Sequence, residues 1–275
     1  MLGLLLLQVL ASCLWLGHSE VVKSFDSCPQ FFYARTFPNS ALNPKNPAWI
    51  CQRFRNSYHY ATLYDRDRRI PVYSAYKYQP AEGKRPRGWW FVEPQLTGKS
   101  NLKEMETESH LIEQYHISSE DIKKSQAVLD DYKGLKGLDH GHLSPCGHMV
   151  NDVSKMATFT LTNIVPQDSV LNKGQWGVYE HKTMIKKTKG CKTTYVITGA
   201  VPGNTYISED RVNRPSHIWS AACCLGDEEP KDAWGAIAEN DKNEVEELSL
   251  EDLEKRLTEL YGGPVTLFNN ACPRE

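Results

Sequence analysis

The stretch from Gly137 to Glu180 reads GLDHGHLSPCGHMVNDVSKMATFTLTNIVPQDSVLNKGQWGVYE and is denser in histidines, carboxylates and amides than any other segment. Asp139-His140-Gly141-His142 runs directly into Leu143-Ser144-Pro145, so two imidazoles lie where an extended segment must turn, and His142 is expected to project into a cleft. Ala157 to Ile164, rich in Thr, Phe, Leu and Ile, predicts a strand ended by Pro166, with Gln167 to Leu171 as a connector. Asn172 is expected to cap a helix, because no proline follows until Pro202. Trp176 and Glu180 come one and two turns later, Glu180 offset by roughly 80° and about 12 Å along the axis, so both are expected to face the same cleft. Such a scaffold suits a hydrated hard cation, with Asn172 as direct ligand and Glu180 acting through water. A zinc site from His140, His142, Cys146 and His148 is the competing reading, although their spacing matches no common zinc framework.

The order Asp-x-Gly-His, Asn-x-x-Pro-Gln, Asn, then Trp and Glu resembles the DNA/RNA non-specific endonucleases, whose active site is a ββα-metal (His-Me) finger. The resemblance implies that His142 is the general base, that Asn172 holds a single divalent metal and that Glu180 supports the metal's water shell. It further implies that Asn163 and Gln167 are accessory amides, with Asp139 and Trp176 also at the substrate site. It covers most of the chain, including Tyr60 to Tyr78 and Val212 to Cys224. The family motif is usually Asp-Arg-Gly-His, whereas His140 stands here in place of Arg. To replace that charge His140 must be protonated while His142 stays neutral, which predicts a narrow bell-shaped pH profile on the acid side of neutrality.

The 275-residue chain opens with MLGLLLLQVLASCLWLGHS, an uncharged Leu-rich run expected to be a signal peptide over residues 1–19, cut after Ser19. No later stretch is apolar enough to span a bilayer, so a secreted, extracellular protein is expected, with residues 20–275 as one domain. Of eight cysteines Cys13 lies in the leader; the other seven should mostly pair in an oxidising compartment, leaving at least one over. The net charge of −2 hides an asymmetry. Asp227 to Glu259 carries 13 acidic against 4 basic residues, leaving 21 acidic and 28 basic elsewhere. This suggests a basic body facing phosphates and an acidic appendage, within a 227–275 segment that ends in a helix.

Residues 20–49 read as an irregular arm tied down by Cys28. Tyr58 to Tyr64 and Ile70 to Tyr78 alternate aromatic or β-branched with polar residues around Asp65-Arg66-Asp67-Arg68, as in a β-hairpin. Lys84, Arg85 and Arg87 beside Trp89 and Trp90 suit a nucleic-acid groove. Ser125 to Tyr132 suggests a short helix. Thr193 to Val201 and Ile218 to Cys223 read as strands joined through a turn at Pro202-Gly203-Asn204. Ser249, followed by an apolar stripe at Leu250, Leu253, Leu257 and Leu260, predicts a packing helix ended at Gly262-Gly263. The whole implies an α+β fold with a mixed or antiparallel central sheet. The function implied is Mg²⁺-dependent hydrolysis of DNA and RNA; the alternative is a catalytically weak module that only binds nucleic acid or protein.

Overall fold

Runs of Val, Ile, Thr and Tyr supply the strands of a computed structural model that describes residues 21–80, 83–99, 101–227 and 229–275. The expected signal peptide, its cleavage point and Cys13 lie outside the described residues. In chain order the strands are β1 (Val21–Val22), β2 (Pro47–Phe54), β3 (Ser57–Asp65), β4 (Ile70–Lys77), β5 (Leu138–His142) and β6 (Ile164–Asp168). They continue as β7 (Thr193–Val201), β8 (Thr205–Ile207), β9 (Val212–Arg214), β10 (His217–Leu225), β11 (Pro230–Glu239) and β12 (Glu246–Leu248). Eight pair in the order β1-β2-β3-β4-β7-β10-β11-β12, every pairing antiparallel, while β5-β6 and β8-β9 form separate two-stranded ribbons. The helices are α1 (Glu108–Tyr115), α2 (Ser119–Lys123), α3 (Asp152–Ala157), α4 (Ser169–Lys173), α5 (Gln175–Val178), α6 (Met184–Lys187) and α7 (Leu250–Tyr261). The chain is therefore α+β with a large antiparallel sheet, as expected.

Both faces of the sheet are covered, because its central strands are apolar on both sides. Along β10, Ile218, Ala222 and Cys224 join one cluster and Trp219, Ala221 and Cys223 the other, the two-residue period of a strand. The same alternation sends the disulfides of adjacent residues to opposite faces: Cys223 bonds Cys272 behind the C-terminal helix, and Cys224 bonds Cys191. Cys28–Cys51 fastens the N-terminal arm, built of short 3₁₀ turns, and Cys146 is free and buried. The expected hairpin forms as β3 and β4, and α7 starts at an Ser249 N-cap, with Leu253 against the bare backbone of Gly235.

Several local expectations give way. Ala157 to Ile164 is not a continuous strand: α3 ends at Ala157 and a 3₁₀ turn covers Leu161–Asn163, because turn bonds from Thr158 N and Phe159 N back into α3 and from Asn163 N to Thr160 O bend the chain, leaving only a bridge between Thr160 and Phe91. Pro166 does not end an element but sits inside β6, opposite His140, where a two-stranded ribbon tolerates a missing N–H. Ser125 to Tyr132 forms only a 3₁₀ turn at Leu129–Tyr132, and the β8-β9 ribbon is inserted between the turn at Pro202 and β10. Nor is the acidic segment an appendage, since β11 is an interior strand of the sheet and the loop after it holds the functional site in place.

One buried ion pair secures the wall of that site. Asp131 accepts hydrogen bonds from Arg211 Nε at 2.8 Å and Ser208 Oγ at 2.6 Å, joining the β8-β9 turn to the segment that carries Tyr132. Burial alone would raise the Asp131 pKa, but the bonds from Arg211 and Ser208 outweigh it and hold the carboxyl below its ordinary 3.8. A depressed folded pKa means stability that is present above the unfolded value and lost as pH falls through the folded one. Arg211→Ala, which strands a buried carboxylate, should cost about 3 kcal/mol by chemical denaturation at pH 7. The deficit relative to the native chain should shrink below about pH 4.

Candidate functional site

The site grows from the β5-β6 ribbon and α4. Asp139 heads the hydrogen-bond pattern: its carboxylate accepts from Ser169 Oγ at 2.9 Å, Asn172 Nδ2 at 3.0 Å and Lys173 Nζ at 2.9 Å. Burial pushes its pKa up, but these three donors reverse the shift and keep it below 3.8. Because the Asn172 amide nitrogen is committed to Asp139, its Oδ1 remains, without a partner among the described residues, in a helix that borders a cleft of about 640 Å³. Asn172 is not the N-cap that was expected. Asp168 caps α4 through Val170 N and Leu171 N, and Asn172 lies inside the helix.

The helix then breaks at Gly174, where a Cβ would come within 2.2 Å of Asn243 Oδ1, the atom that accepts the Gln175 N–H. Asn240, in the same post-β11 loop, donates to Pro166 O at 3.0 Å and accepts from Asp168 N at 2.9 Å. The acidic segment thus caps and braces the motif. Beyond α5, a π turn at Tyr179–Thr183 carries Glu180, whose Oε1 accepts the Trp176 indole N–H at 3.1 Å. Trp176 is fully buried and holds Glu180 rather than facing the cleft beside it. Burial pushes the Glu180 carboxyl up to about 8, against the Trp176 hydrogen bond and the Arg85 charge. His148 donates Nε2–H to the Glu180 carbonyl at 3.0 Å and accepts the Tyr76 hydroxyl at Nδ1, pinning the π turn to β4.

His142 does not project into the cleft as expected and is not among its lining residues: it is buried, 8 % exposed, with its ring edge-on to Phe159 and 5.6 Å from the ring of Trp90, which does line the cleft. Nδ1 donates to the His140 carbonyl at 3.3 Å, and Nε2 is buried with no partner. Burial first, then the charge of Arg85, lowers its pKa to about 3, so the ring is neutral at physiological pH. His140 is sandwiched between Trp90 and Tyr132, at ring distances of 4.7 and 4.8 Å. Burial lowers its pKa too, with Asp139 opposing and Arg85 reinforcing. Both the stacking and the burial favour the neutral form of His140, while Arg85 brings a permanent positive charge to the same cleft. That guanidinium lines the cleft, lies 5.2 Å over Phe159 and has no carboxylate partner among the described residues.

The expected site residues separate into two layers. Asp139, His140, Asn172 and Glu180 line the cleft together with Arg85, Trp90, His181 and Lys182. Asn163, Gln167 and Trp176 lie beneath, wholly or almost wholly buried, and act on the site through its framework. Of the basic and aromatic run before β5, Arg85 and Trp90 reach the cleft, whereas Trp89 points outward, 57 % exposed. Tyr76 and Tyr132 were not singled out by spacing, since each meets the site only through folding, and His148, weighed only as a zinc ligand, instead bonds Tyr76 and the Glu180 carbonyl. The zinc reading fails: His140, His142 and His148 are held by separate partners, and no group of three or more His, Cys, Asp or Glu is placed to hold a metal among the described residues.

This ribbon, helix and cleft are those of a ββα nuclease fold, and the comparisons agree. The chain belongs to the DNA/RNA non-specific endonuclease family, whose sequence model matches residues 38–262. It is 35% identical to the human Endonuclease domain-containing 1 protein over 265 residues, 93% of this chain and 49% of that protein. It is 33% identical to the mouse protein of the same name over 85% of this chain and 46% of that protein, so it spans about half the length of the curated relatives it matches. A crystal structure of the EndoG/EndoGI complex shares the fold with a TM-score of 0.54 at 18% identity, covering 78% of this chain and 85% of that one.

Gly141 is the point of closest packing in the motif: a Cβ there would sit 2.3 Å from Gln167 Oε1 and 2.5 Å from Gln167 Cβ. Gly141→Ala should push the Gln167 side chain off the β5 backbone and cost about 1–3 kcal/mol in thermal denaturation. Adding Gln167→Ala, which removes Oε1 but keeps the Cβ at 2.5 Å, should recover little of it, whereas adding Gln167→Gly, which removes both atoms, should recover a larger part; equal losses in the two double variants would place the strain elsewhere.

Proposed function

We propose that the cleft hydrolyses phosphodiester bonds in DNA and RNA with the help of a divalent cation, Mg²⁺ by its chemistry, in a secreted protein. One observation carries the reading: an amide oxygen freed by Asp139 and an unpartnered imidazole nitrogen belong to the same ββα motif. A single carboxamide oxygen, with the Glu180 carboxyl in the same cleft, fits a hard cation that keeps most of its water. When bound, such a cation relieves charge on a non-bridging phosphate oxygen and on the leaving 3′ oxygen.

The rest is the work of the chain itself. Nδ1–H is committed to the His140 carbonyl, so Nε2 of His142 carries the lone pair and takes a proton from the attacking water. The water oxygen bonds to phosphorus as the bond to the 3′ oxygen breaks, and that oxygen takes a proton from solvent, giving a 5′ phosphate and a 3′ hydroxyl. An entering phosphodiester offsets the Arg85 charge, which moves His142 back toward its ordinary basicity. Arg85 holds a phosphate oxygen by charge-assisted hydrogen bonds. Contacts directed at phosphate give weak sequence preference and binding that falls with salt. The burial of Nε2 is the observation that favours the second reading, a module that binds nucleic acid without turnover.

Plasmid nicking by the purified chain, with Mg²⁺ and with EDTA, separates the two. His142→Ala should abolish metal-dependent cleavage while leaving nucleic-acid binding near normal, and Asn172→Ala should raise the Mg²⁺ concentration for half-maximal rate. Native-rate cleavage by His142→Ala would remove the base, and salt-sensitive binding with no turnover in any divalent cation would establish the binding module. Arg85→Gln should lower the rate by roughly 10² to 10³, whereas His140→Phe, which keeps the ring stack, should stay within about tenfold. The reverse ranking would return the charge role to position 140.

A further inference from the structure

A second cavity, of about 500 Å³, lies between the β2-β3 hairpin tip, the end of β4 and the start of α3. It shares no lining residue with the catalytic cleft, although a single turn separates them. The Gln79 N–H bonds the carbonyl of His148, and the ring of the same His148 bonds the carbonyl of Glu180 on the other side. Its volume falls in the range of about 300–1,000 Å³ typical of small-molecule sites.

Its lining has a one-sided chemistry. Arg55 and Lys77 supply two permanent cations, and no Asp or Glu lines the cavity among the described residues. Neither cation has an acidic partner there: Arg55 lies over the Phe54 ring at 5.6 Å and Lys77 over Tyr195 at 5.3 Å. Ser57, Gln79 and Asn151 add neutral hydrogen-bonding groups. Phe31 and Met149, each largely buried in the core behind, add apolar lining, and Phe31 stands on the arm fixed by Cys28–Cys51. Arg55 occupies a left-handed backbone position, φ 49°, in a two-residue turn where glycine or asparagine is the easier choice. Cations beside neutral donors suit an oxyanion, and apolar lining in the same cavity suits a flat ring attached to it.

We propose that this cavity is a non-catalytic site for a nucleoside phosphate, with the phosphate between Arg55 and Lys77 and the base against Phe31 and Met149. Occupancy does not depend on hydrolysis in the cleft, so this site and the catalytic reading stand or fall separately. The phosphate belongs either to a free nucleotide or to the 5′ end of a strand.

Calorimetric titration of the full chain, without divalent cation, with a ribonucleoside 5′-monophosphate and with inorganic phosphate tests it. The nucleotide should bind more tightly than phosphate. Arg55→Gln and Lys77→Gln should each weaken it by about tenfold, with circular dichroism unchanged, while Arg85→Gln leaves it as in the native chain. Displacement by an oligonucleotide only when it is 5′-phosphorylated identifies the strand end, and no displacement identifies the free nucleotide. Equal affinity for inorganic phosphate, loss of binding in Arg85→Gln alone, or no heat at millimolar nucleotide would each overturn the proposal.

Discussion

The carboxamide of Asn163 is the bond on which the geometry of the motif depends. Its Oδ1 accepts from Ser74 Oγ on β4 and from Ser144 N, while its Nδ2 donates to Ser144 O and Thr158 O, all at 2.9–3.0 Å. One fully buried side chain therefore ties the central sheet, the turn after β5 and the end of α3 to the start of β6. A buried amide with every bond made is costly to disturb, because each lost partner strands a desolvated group. Resemblance to the family implied an accessory amide; burial makes it the fastening that fixes where His142 and Asn172 stand.

The electrostatics of the cleft follow from how that framework is covered. Trp90, Tyr132 and Phe159 enclose the two imidazoles, and burial removes the water that would stabilise their charged forms. Arg85, exposed and without a carboxylate partner among the described residues, adds a permanent charge that works in the same direction. Neutral histidines and a positive cleft are consequences of one arrangement. On the other side Asp139 stays ionised because three donors converge on it, and that ionised carboxylate orients the Asn172 amide.

Strands at the centre of the sheet were legible in the sequence because their physics is local. Thr193–Val201 coincides with its predicted run, and the Ser249 cap with its Leu stripe marks α7 almost to the residue. Three disulfides and one free thiol fit a count of seven in which one cysteine must be left over. The segment from Ala157 to Ile164 was misread since its β-branched composition is outweighed by turn bonds at Thr158, Phe159 and Asn163 and by the buried Asn163 amide that holds Thr158 O, so that only Thr160 pairs in an extended bridge, to Phe91. Tertiary context overrode propensity there.

What the sequence determined by itself was a set of candidates, Asp139, His142, Asn172 and Glu180, in an order that resembles the family's motif, and a chain rich enough in alternating apolar residues to build its sheet. The tertiary structure alone decided how those residues behave. Spacing along the chain cannot show that Asn243 from the acidic segment accepts the Gln175 N–H, or that Trp90 closes on His140. Those contacts join residues tens of positions apart, and a side chain's charge state is set by burial and neighbours, which exist only once the chain has folded.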